Sequence, residues 1–167
     1  MEKLISRLGL GFVVWFLTAQ FAKAATRLDP AKVRKIVEFV NETEFGGWFS
    51  VNDVMAIIQI ESSFYPDAKR YEAKLNDASL GLMQILLSTA RDRGFSGGPA
   101  GLFDPLTNVR LGMAQLKWSY DYLENRLGYP PPVDMWIGSY NAGVGNALKQ
   151  IWSPGYVQKW QNARAGF

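Results

Sequence analysis

Glu61 has the surroundings of a carboxyl group that could exchange protons in a reaction. It closes the mostly apolar run Ala56–Ile60, and in a helix it would share one face with Val54, Ile57 and Ile58. An ionised carboxylate on an apolar face loses hydration, so burial raises its pKa. A carboxyl group that stays protonated near neutral pH can act as a general acid, which a solvent-facing glutamate at a helix end would not do.

Two later segments carry the neutral polar groups that would complete a site around this acid. Residues 81–84 read Gly-Leu-Met-Gln, and residues 139–143 read Ser-Tyr-Asn-Ala-Gly. Each is weak alone, and the second is also typical of a helix C-cap. Together with Glu61 they provide an acid, a phenol and two amides. Amides pair with hydroxyl and N-acetyl groups while aromatic rings cover apolar faces, so the combination favours a sugar-binding site.

These motifs resemble, in order and spacing, those of the soluble-type lytic transglycosylases, which share a lysozyme-like α fold with goose-type lysozymes. The family carries an E-S pair, a G-L-M-Q segment and an A-Y-N-A-G segment, and the resemblance covers residues 50–147. It also includes Leu102-Phe103-Asp104-Pro105, which is similar to the start of the family's long helix. The resemblance implies that Glu61 is the sole catalytic acid/base with Tyr140 beside it. It further implies that the glycan contacts Ser62, Ser79, Met83, Gln84 and Asn141.

The substrate implied by the resemblance is peptidoglycan, cleaved at the β-1,4 bond between N-acetylmuramic acid and N-acetylglucosamine. Glu61 would first protonate the leaving oxygen, with help from the substrate's own N-acetyl carbonyl at the anomeric carbon. It would then act as base toward the muramoyl 6-hydroxyl, which closes a 1,6-anhydro ring. Because no water attacks, this reaction needs no second carboxylate, unlike that of the usual glycosidase. No metal or cofactor is implied.

Two other functions are compatible with the same residues. A goose-type hydrolase would need a carboxylate to position water, and Asp67, Glu72 and Asp77 are the candidates. Relatives that hydrolyse often carry an aspartate soon after the Met-Gln pair, where this chain has Ile85-Leu86-Leu87, so transglycosylation is favoured. Asp77 is interpreted as a solvated turn residue. A glycan-binding module without turnover is the third possibility, which the presence of Glu61 disfavours.

The rest of the chain predicts a mainly α protein with a single lysozyme-like helical domain. Asp-Pro pairs at 29–30 and 104–105 are typical helix starts, because the carboxylate caps the helix and proline suits its first position. The second pair opens the longest helix, whose apolar stripe runs to Leu127 before Gly128 ends it. Shorter helices are predicted near residues 133–140, 146–151 and 156–165.

The segments around Glu61 are predicted less sharply. Ser50-Val51-Asn52-Asp53 has the form of a capping box and would open the helix that bears Glu61, which Pro66 would end. Residues 66–80 are polar and mixed, which indicates an irregular loop or a short hairpin after the catalytic helix. Ser88 would cap a short helix that stops at Gly94.

Composition excludes several kinds of site. The 167 residues include no cysteine and no histidine, so disulfides, thiol nucleophiles, Ser-His-Asp triads and His-ligated metals are ruled out. The formal charge of +3 falls close to neutral when residues 1–24 are left out, so nothing indicates a nucleic acid partner. Chemistry must therefore rest on carboxylates, hydroxyls, amides, lysines or aromatics.

The first segment has the three parts of an export signal. Lys3 and Arg7 precede the uncharged run Leu8–Ala19, and Ala22-Lys23-Ala24 offers a small-x-small cleavage pattern. The run is shorter than the roughly 20 residues of a membrane-spanning helix, so residues 1–24 are predicted to be a cleaved signal, with an uncleaved anchor as the alternative. Residues 25–167 would form the working domain in the periplasm or cell envelope, and the membrane would be touched only through an uncleaved anchor. The resemblance is also compatible with a second kind of partner, either an envelope-spanning secretion machine or a phage machine.

Overall fold

The computed structural model of the chain describes residues 26–167, so the predicted export segment lies outside them. Helix α1, Pro30–Phe45, starts at the first Asp-Pro pair. The Asp29 carboxylate accepts a 2.9 Å hydrogen bond from the backbone N–H of Ala31. This cap satisfies a donor that the helix itself cannot pair, and the predicted helix start is confirmed.

Helix α2, Val51–Ser62, carries Glu61 in its last turn and begins after Ser50. The predicted capping box is wrong, because the side chain of Ser50 makes no capping hydrogen bond to the helix backbone. The Asp53 carboxylate pairs with the guanidinium of Arg164 near the end of the chain. The side chain of Ser50 is hydrogen-bonded to the same Asp53 carboxylate, so it does not bond to the backbone as a capping box requires.

A three-stranded antiparallel sheet follows, in the order β1 (Lys69–Glu72), β2 (Asp77–Leu80) and β3 (Ile85–Leu86). The predicted hairpin after the catalytic helix is therefore confirmed, with residue 72 facing residue 77 across its tip. Helix α3, Leu87–Asp92, comes next, and the predicted cap by Ser88 is wrong. The carboxylate of Asp77 instead accepts the backbone N–H of Ser88 at 3.0 Å, so the hairpin caps the helix.

The second half of the chain is helical. A 3-10 helix spans Pro99–Phe103, and α4, Pro105–Leu127, starts at Asp104, whose side chain accepts the backbone N–H of Thr107 at 2.8 Å. Gly128, with φ of 78°, ends α4 as predicted. The remaining helices are α5 (Val133–Ala142), α6 (Val144–Ala147) and α7 (Pro154–Arg164). The predicted helix at 146–151 is wrong in its bounds, because α6 starts directly after Gly143 and is a single turn.

The core has two parts, and α2 lies in the larger one. In that part, α2 packs among α1, α4, α5 and α7. Fully buried side chains come from α1, α2, α4 and α5, for example Val37, Ile57, Met113 and Ile137. The smaller part lies under the sheet and contains Leu80, Ile85, Ala90, Leu102 and Leu111. The fold is mainly α, as predicted, and the sheet forms one wall beside α2. Within residues 26–167, every helix is too short or too polar to span a membrane.

Candidate active site

The carboxyl group of Glu61 lies in a cleft of about 420 Å³ between the sheet, the middle of α4 and the C-terminal end of α5. The sheet, α3, α4 and α5 each contribute side chains to it. On the other side of Glu61 a second, more open depression of about 540 Å³ is lined by Ser62, Tyr65, Asp67 and Lys69. Glu61 and Gln84 line both spaces, so they stand where a long ligand would pass from one to the other.

Burial raises the pKa of Glu61 above its ordinary value. The phenol of Tyr156 donates a 2.6 Å hydrogen bond to Glu61 Oε1 and works in the opposite direction, as does the positive charge of Arg70. The negative charge of Glu72 raises the pKa further, and the net direction is upward. A carboxyl group in this state holds its proton closer to neutral pH, as a general acid requires.

Tyr156 is the site residue that sequence reasoning missed. It lies in the first turn of α7, where Ser153 caps the helix by accepting the backbone N–H of Tyr156 at 3.3 Å. Helix α7 is held on α2 by the indole N–H of Trp160, which donates to the backbone carbonyl of Asp53 at 3.2 Å. The Ser-Pro helix start at 153–154 was visible in the sequence, but nothing local shows that this turn faces Glu61.

Tyr140 lies beside Glu61, as predicted, but its hydroxyl has a different partner. Both residues line the cleft, and burial together with the charge of Glu61 raises the pKa of Tyr140 well above its ordinary value. The hydroxyl donates a 2.8 Å hydrogen bond to the backbone carbonyl of Met83. The phenol therefore ties α5 to the Gly-Leu-Met-Gln segment, and its hydroxyl is not bonded to the acid.

The prediction that the Met83 side chain lines the cleft is wrong. Met83 is fully buried and lies outside both spaces around Glu61. Its sulfur packs on Gly112 of α4, where an added Cβ would lie 2.3 Å from the sulfur atom. Met83 contributes to the site through its backbone carbonyl, while its side chain fixes the segment to the core.

The turn that presents Gln84 is built around Gly81 and Asn108. Asn108 is completely buried, and its amide donates to the backbone carbonyls of Leu80 and Leu102 at 2.8 Å each. Its Oδ1 accepts the backbone N–H of Met83 at 2.8 Å. Gly81 has φ of 76°, and an added Cβ would lie 2.2 Å from Asn108 Nδ2, so glycine is required both by conformation and by space.

Gln84 and Asn141 both line the cleft. Gln84 has φ of 47°, and its Nε2 donates to the backbone carbonyls of Ala68 and Gly81 at 2.9 and 3.0 Å. These two bonds hold the amide at the junction of the two spaces. Asn141, near the end of α5, is exposed and lines the cleft, so its amide is accessible to a ligand.

The two predicted serine contacts differ in availability. Ser79 lines the cleft, and its hydroxyl donates to Glu72 Oε1 at 3.2 Å. Ser62 lies against the second depression, but its hydroxyl donates to the backbone carbonyl of Ile58 and accepts the backbone N–H of Phe64. These bonds stabilise the turn that follows Glu61, so the Ser62 hydroxyl supports the local backbone and is not free to bind a ligand.

Of the acidic residues considered for positioning water, only Glu72 lines the main cleft among the described residues. Arg70 lies 2.5 Å from it and, by hydrogen bond and charge, lowers the pKa of Glu72, so this carboxylate is ionised. Asp77 was interpreted as a solvated turn residue, which is wrong, because its carboxylate caps α3. Burial raises the pKa of Asp77, but the hydrogen bonds from Ser88 and the neighbouring backbone outweigh it, and the pKa is lowered.

The chain matches a known protein family over most of its length. The family model described as "Transglycosylase SLT domain" matches residues 47–163. Proteins named membrane-bound lytic murein transglycosylase C are similar: that of Photorhabdus laumondii is 33% identical over 145 residues, and that of Yersinia enterocolitica 34% over 145 residues. Each alignment covers 82% of this chain and 38% of the relative, so the chain spans about two fifths of these relatives' length.

Among solved structures, the 70 kDa soluble lytic transglycosylase of Escherichia coli superposes with a TM-score of 0.51. The superposition covers 77% of this chain and 21% of that one, at 23% identity. This likeness shows that the two share a fold. Among residues 26–167 no group of acidic side chains is arranged to hold a metal ion.

Proposed function

The chain belongs to the transglycosylase SLT domain family, and from that premise we propose that it is a lytic transglycosylase of peptidoglycan. The observation that carries the proposal is the state of Glu61: a largely buried carboxyl group with a raised pKa, bonded to a phenol and open to a cleft. A single acid of this kind can serve both proton transfers of the intramolecular reaction.

In the first step, the protonated carboxyl group of Glu61 gives its proton to the glycosidic oxygen that leaves with N-acetylglucosamine. The bond from the anomeric carbon of N-acetylmuramic acid to that oxygen breaks, and the substrate's N-acetyl carbonyl oxygen stabilises the carbon. In the second step, the Glu61 carboxylate takes the proton of the muramoyl 6-hydroxyl, whose oxygen bonds to the anomeric carbon. The carboxyl group is then protonated again, and the product is a 1,6-anhydromuramoyl end.

The other site residues bind and orient the substrate in this proposal. Tyr156 holds Glu61 in place and stabilises its ionised form between the two steps. Tyr140 acts as a positioning residue, because it secures the segment that presents Gln84. The exposed amide of Asn141 is available to the hydroxyl and N-acetyl groups of the glycan, whereas the buried hydroxyl of Ser79 is bonded to Glu72.

The test is digestion of purified peptidoglycan with mass analysis of the soluble products. The proposal predicts products with anhydro ends, each lighter by one water than the hydrolytic product, and their loss in Glu61→Gln. That variant keeps the size of the side chain but cannot cycle a proton. Products with only reducing ends, or undiminished product from the Glu61→Gln enzyme, would contradict it.

A second candidate, hydrolysis, is supported by one observation, which is the ionised carboxylate of Glu72 in the same cleft. Glu61 would again protonate the leaving oxygen, while a water held by Glu72 would attack the anomeric carbon and give its proton to that carboxylate. Reducing-end products that disappear in Glu72→Gln, with Glu61 intact, would establish this activity. Anhydro products that persist in Glu72→Gln would exclude Glu72 from the main reaction.

We further propose that residues 25–167 act in the cell envelope after export by the segment 1–24. The signal-like pattern of that segment supports this, as do relatives whose names describe them as membrane-bound. Mass spectrometry of the exported protein tests the proposal: a mature chain that begins at Ala25 is expected for a cleaved signal. A chain retained in membranes with Met1 intact would show an anchor instead.

A further inference from the structure

Two aromatic side chains of α4 continue the surface beyond the cleft-lining residue Gln115. The rings of Trp118 and Tyr122 stack, with centroids 5.2 Å apart and planes 25° from parallel. Both are more than a third exposed. Tyr122 follows Gln115 by seven residues and lies on the same stripe of the helix, about 10 Å further along its axis. The exposed aromatic pair is therefore next to the cleft and leads away from it.

A cation from the neighbouring helix joins this pair. The guanidinium of Arg93 lies 4.3 Å from the centroid of the Trp118 ring. Arg93 follows the cleft-lining residue Thr89 by four residues, at the end of α3. Both α3 and α4 thus run from the wall of the cleft to one surface, which we call the distal shelf and define as Arg93, Trp118 and Tyr122.

Unpaired polar atoms lie along the same path. Among the described residues, the buried side-chain nitrogen and oxygen atoms that lack a hydrogen-bond partner are Arg93 Nε and Gln115 Oε1. Ser119 fixes the orientation of the Gln115 amide, because its hydroxyl donates to the backbone carbonyl of Gln115 at 2.7 Å. The same hydroxyl oxygen can then only accept, and it accepts Gln115 Nε2 at 3.3 Å, which leaves Oε1 without a partner.

An unpaired buried polar atom destabilises a folded protein, so two of them beside one surface call for an explanation. A ligand that brings both a donor and an acceptor would supply the missing partners, after a small rotation of each side chain toward the open surface. N-acetylhexosamine rings carry amide N–H and hydroxyl donors, carbonyl acceptors and apolar ring faces. The donors of the sugar match Gln115 Oε1, its acceptors match Arg93 Nε, and its apolar ring faces match the aromatic pair.

We propose that the distal shelf is an additional carbohydrate subsite, which holds the glycan strand where it leaves the cleft at Gln115. The inference rests on the proposed function, since the occupant is the strand whose cleavage is attributed to Glu61. The sugar rings pack on the exposed parts of the Trp118 and Tyr122 side chains, while Arg93 and Gln115 bond to their polar groups. The subsite lengthens the bound stretch of glycan and leaves the bond-breaking groups untouched.

The test is calorimetric titration of the full chain with β-1,4-linked N-acetylglucosamine oligomers, using the disaccharide and the hexasaccharide. The chain carries Glu61→Gln so that nothing is cleaved. The hexasaccharide should bind more tightly than the disaccharide, and Trp118→Ala should weaken it by about tenfold, which corresponds to about 1.4 kcal/mol. Disaccharide binding should be unchanged. Phe39→Ala, which removes an exposed ring from α1, is the matched control and should change neither.

Melting temperatures of all variants show whether each one folds, and Tyr122→Ala repeats the test at a second position of the shelf. Equal weakening of both oligomers would mean that the shelf residues support the cleft, and it would overturn the proposal. Undiminished hexasaccharide binding in both variants would overturn it as well. Failure of the proposed function is distinguishable, because it would appear as missing anhydro products from the unmodified chain while length-dependent binding persists.

Discussion

The phenol of Tyr156 donates a 2.6 Å hydrogen bond to the carboxylate of Glu61, although 95 residues separate them in the chain. The contact exists because α7 packs on α2, where the carboxylate of Asp53 and its backbone carbonyl receive partners from Arg164 and Trp160. A helix that sequence motifs did not mark as functional therefore supplies a hydrogen bond that opposes the rise in the pKa of Glu61 caused by burial.

Replacing Tyr156 by phenylalanine should move the alkaline limb of the pH–rate profile to higher pH. The hydrogen bond favours the ionised form of Glu61, so its loss raises the pKa of a group that must be protonated to act. A hydrogen bond to a charged group contributes about 1.5–3 kcal/mol, so the displacement should be clearly measurable. Rates of wall digestion measured across pH give the result.

The control for this measurement is Tyr129→Phe, which alters an exposed tyrosine outside the cleft and should leave the profile in place. A Tyr156→Phe profile that coincides with the parent, or moves to lower pH, would mean that the phenol does not tune Glu61.

Glu61→Gln should change the stability of the protein relative to the parent in a pH-dependent way. The variant should be more favoured over the parent at neutral pH than at acidic pH. The pKa of Glu61 is raised on folding above the ordinary 4.5, so the folded chain binds the proton more tightly than the unfolded chain. The contribution of Glu61 to the free energy of unfolding of the parent therefore decreases as pH rises from 4.5 toward the raised value. Glutamine does not titrate, so the variant escapes this loss.

The measurement for Glu61→Gln is the difference in melting temperature between variant and parent, followed across pH. The difference should become more positive as pH rises from acidic to neutral. A difference that is constant, or that becomes more negative, would show that the carboxyl group is not desolvated in the folded protein.

Tyr140→Phe should lower stability more than it lowers the rate per folded molecule. The buried hydroxyl satisfies the carbonyl of Met83, and removing it leaves that acceptor unpaired at a cost of about 1 kcal/mol. The melting temperature should fall by about 2–4 °C. Melting curves and rates are measured on one preparation. An unchanged melting temperature with a large loss of rate would assign the hydroxyl to the reaction itself.

Gly81→Ala should destabilise the protein by more than about 3 kcal/mol, since the new methyl group would overlap Asn108 and the carbonyl of Leu102. Gly94→Ala is the matched control: Gly94 also has a positive φ, of 89°, but an added Cβ there meets nothing within 4 Å. Its cost should be limited to backbone strain of about 1–2 kcal/mol. Denaturant unfolding compares the two, and equal losses would contradict the close-packing argument.

Two predicted helix caps were confirmed, and two were wrong because other groups took the predicted hydrogen-bond partners. Asp29 and Asp104 cap their helices because carboxylate and helix start are adjacent in sequence. The capping box at Ser50 is wrong because the Ser50 side chain bonds to the Asp53 carboxylate, and the cap by Ser88 is wrong because the Asp77 carboxylate accepts the backbone N–H of Ser88. No local pattern records such competition.

The sequence by itself determined the mainly α class, the helix starts at the two Asp-Pro pairs and the motifs that contain Glu61, Gln84 and Tyr140. These follow from periodicity and capping, which act over one or two turns. Only the tertiary structure decided that Met83 is buried and that Tyr156 bonds to the acid. Both outcomes depend on which helix faces pack together, and that is decided by burial of the whole apolar core, not by any one segment.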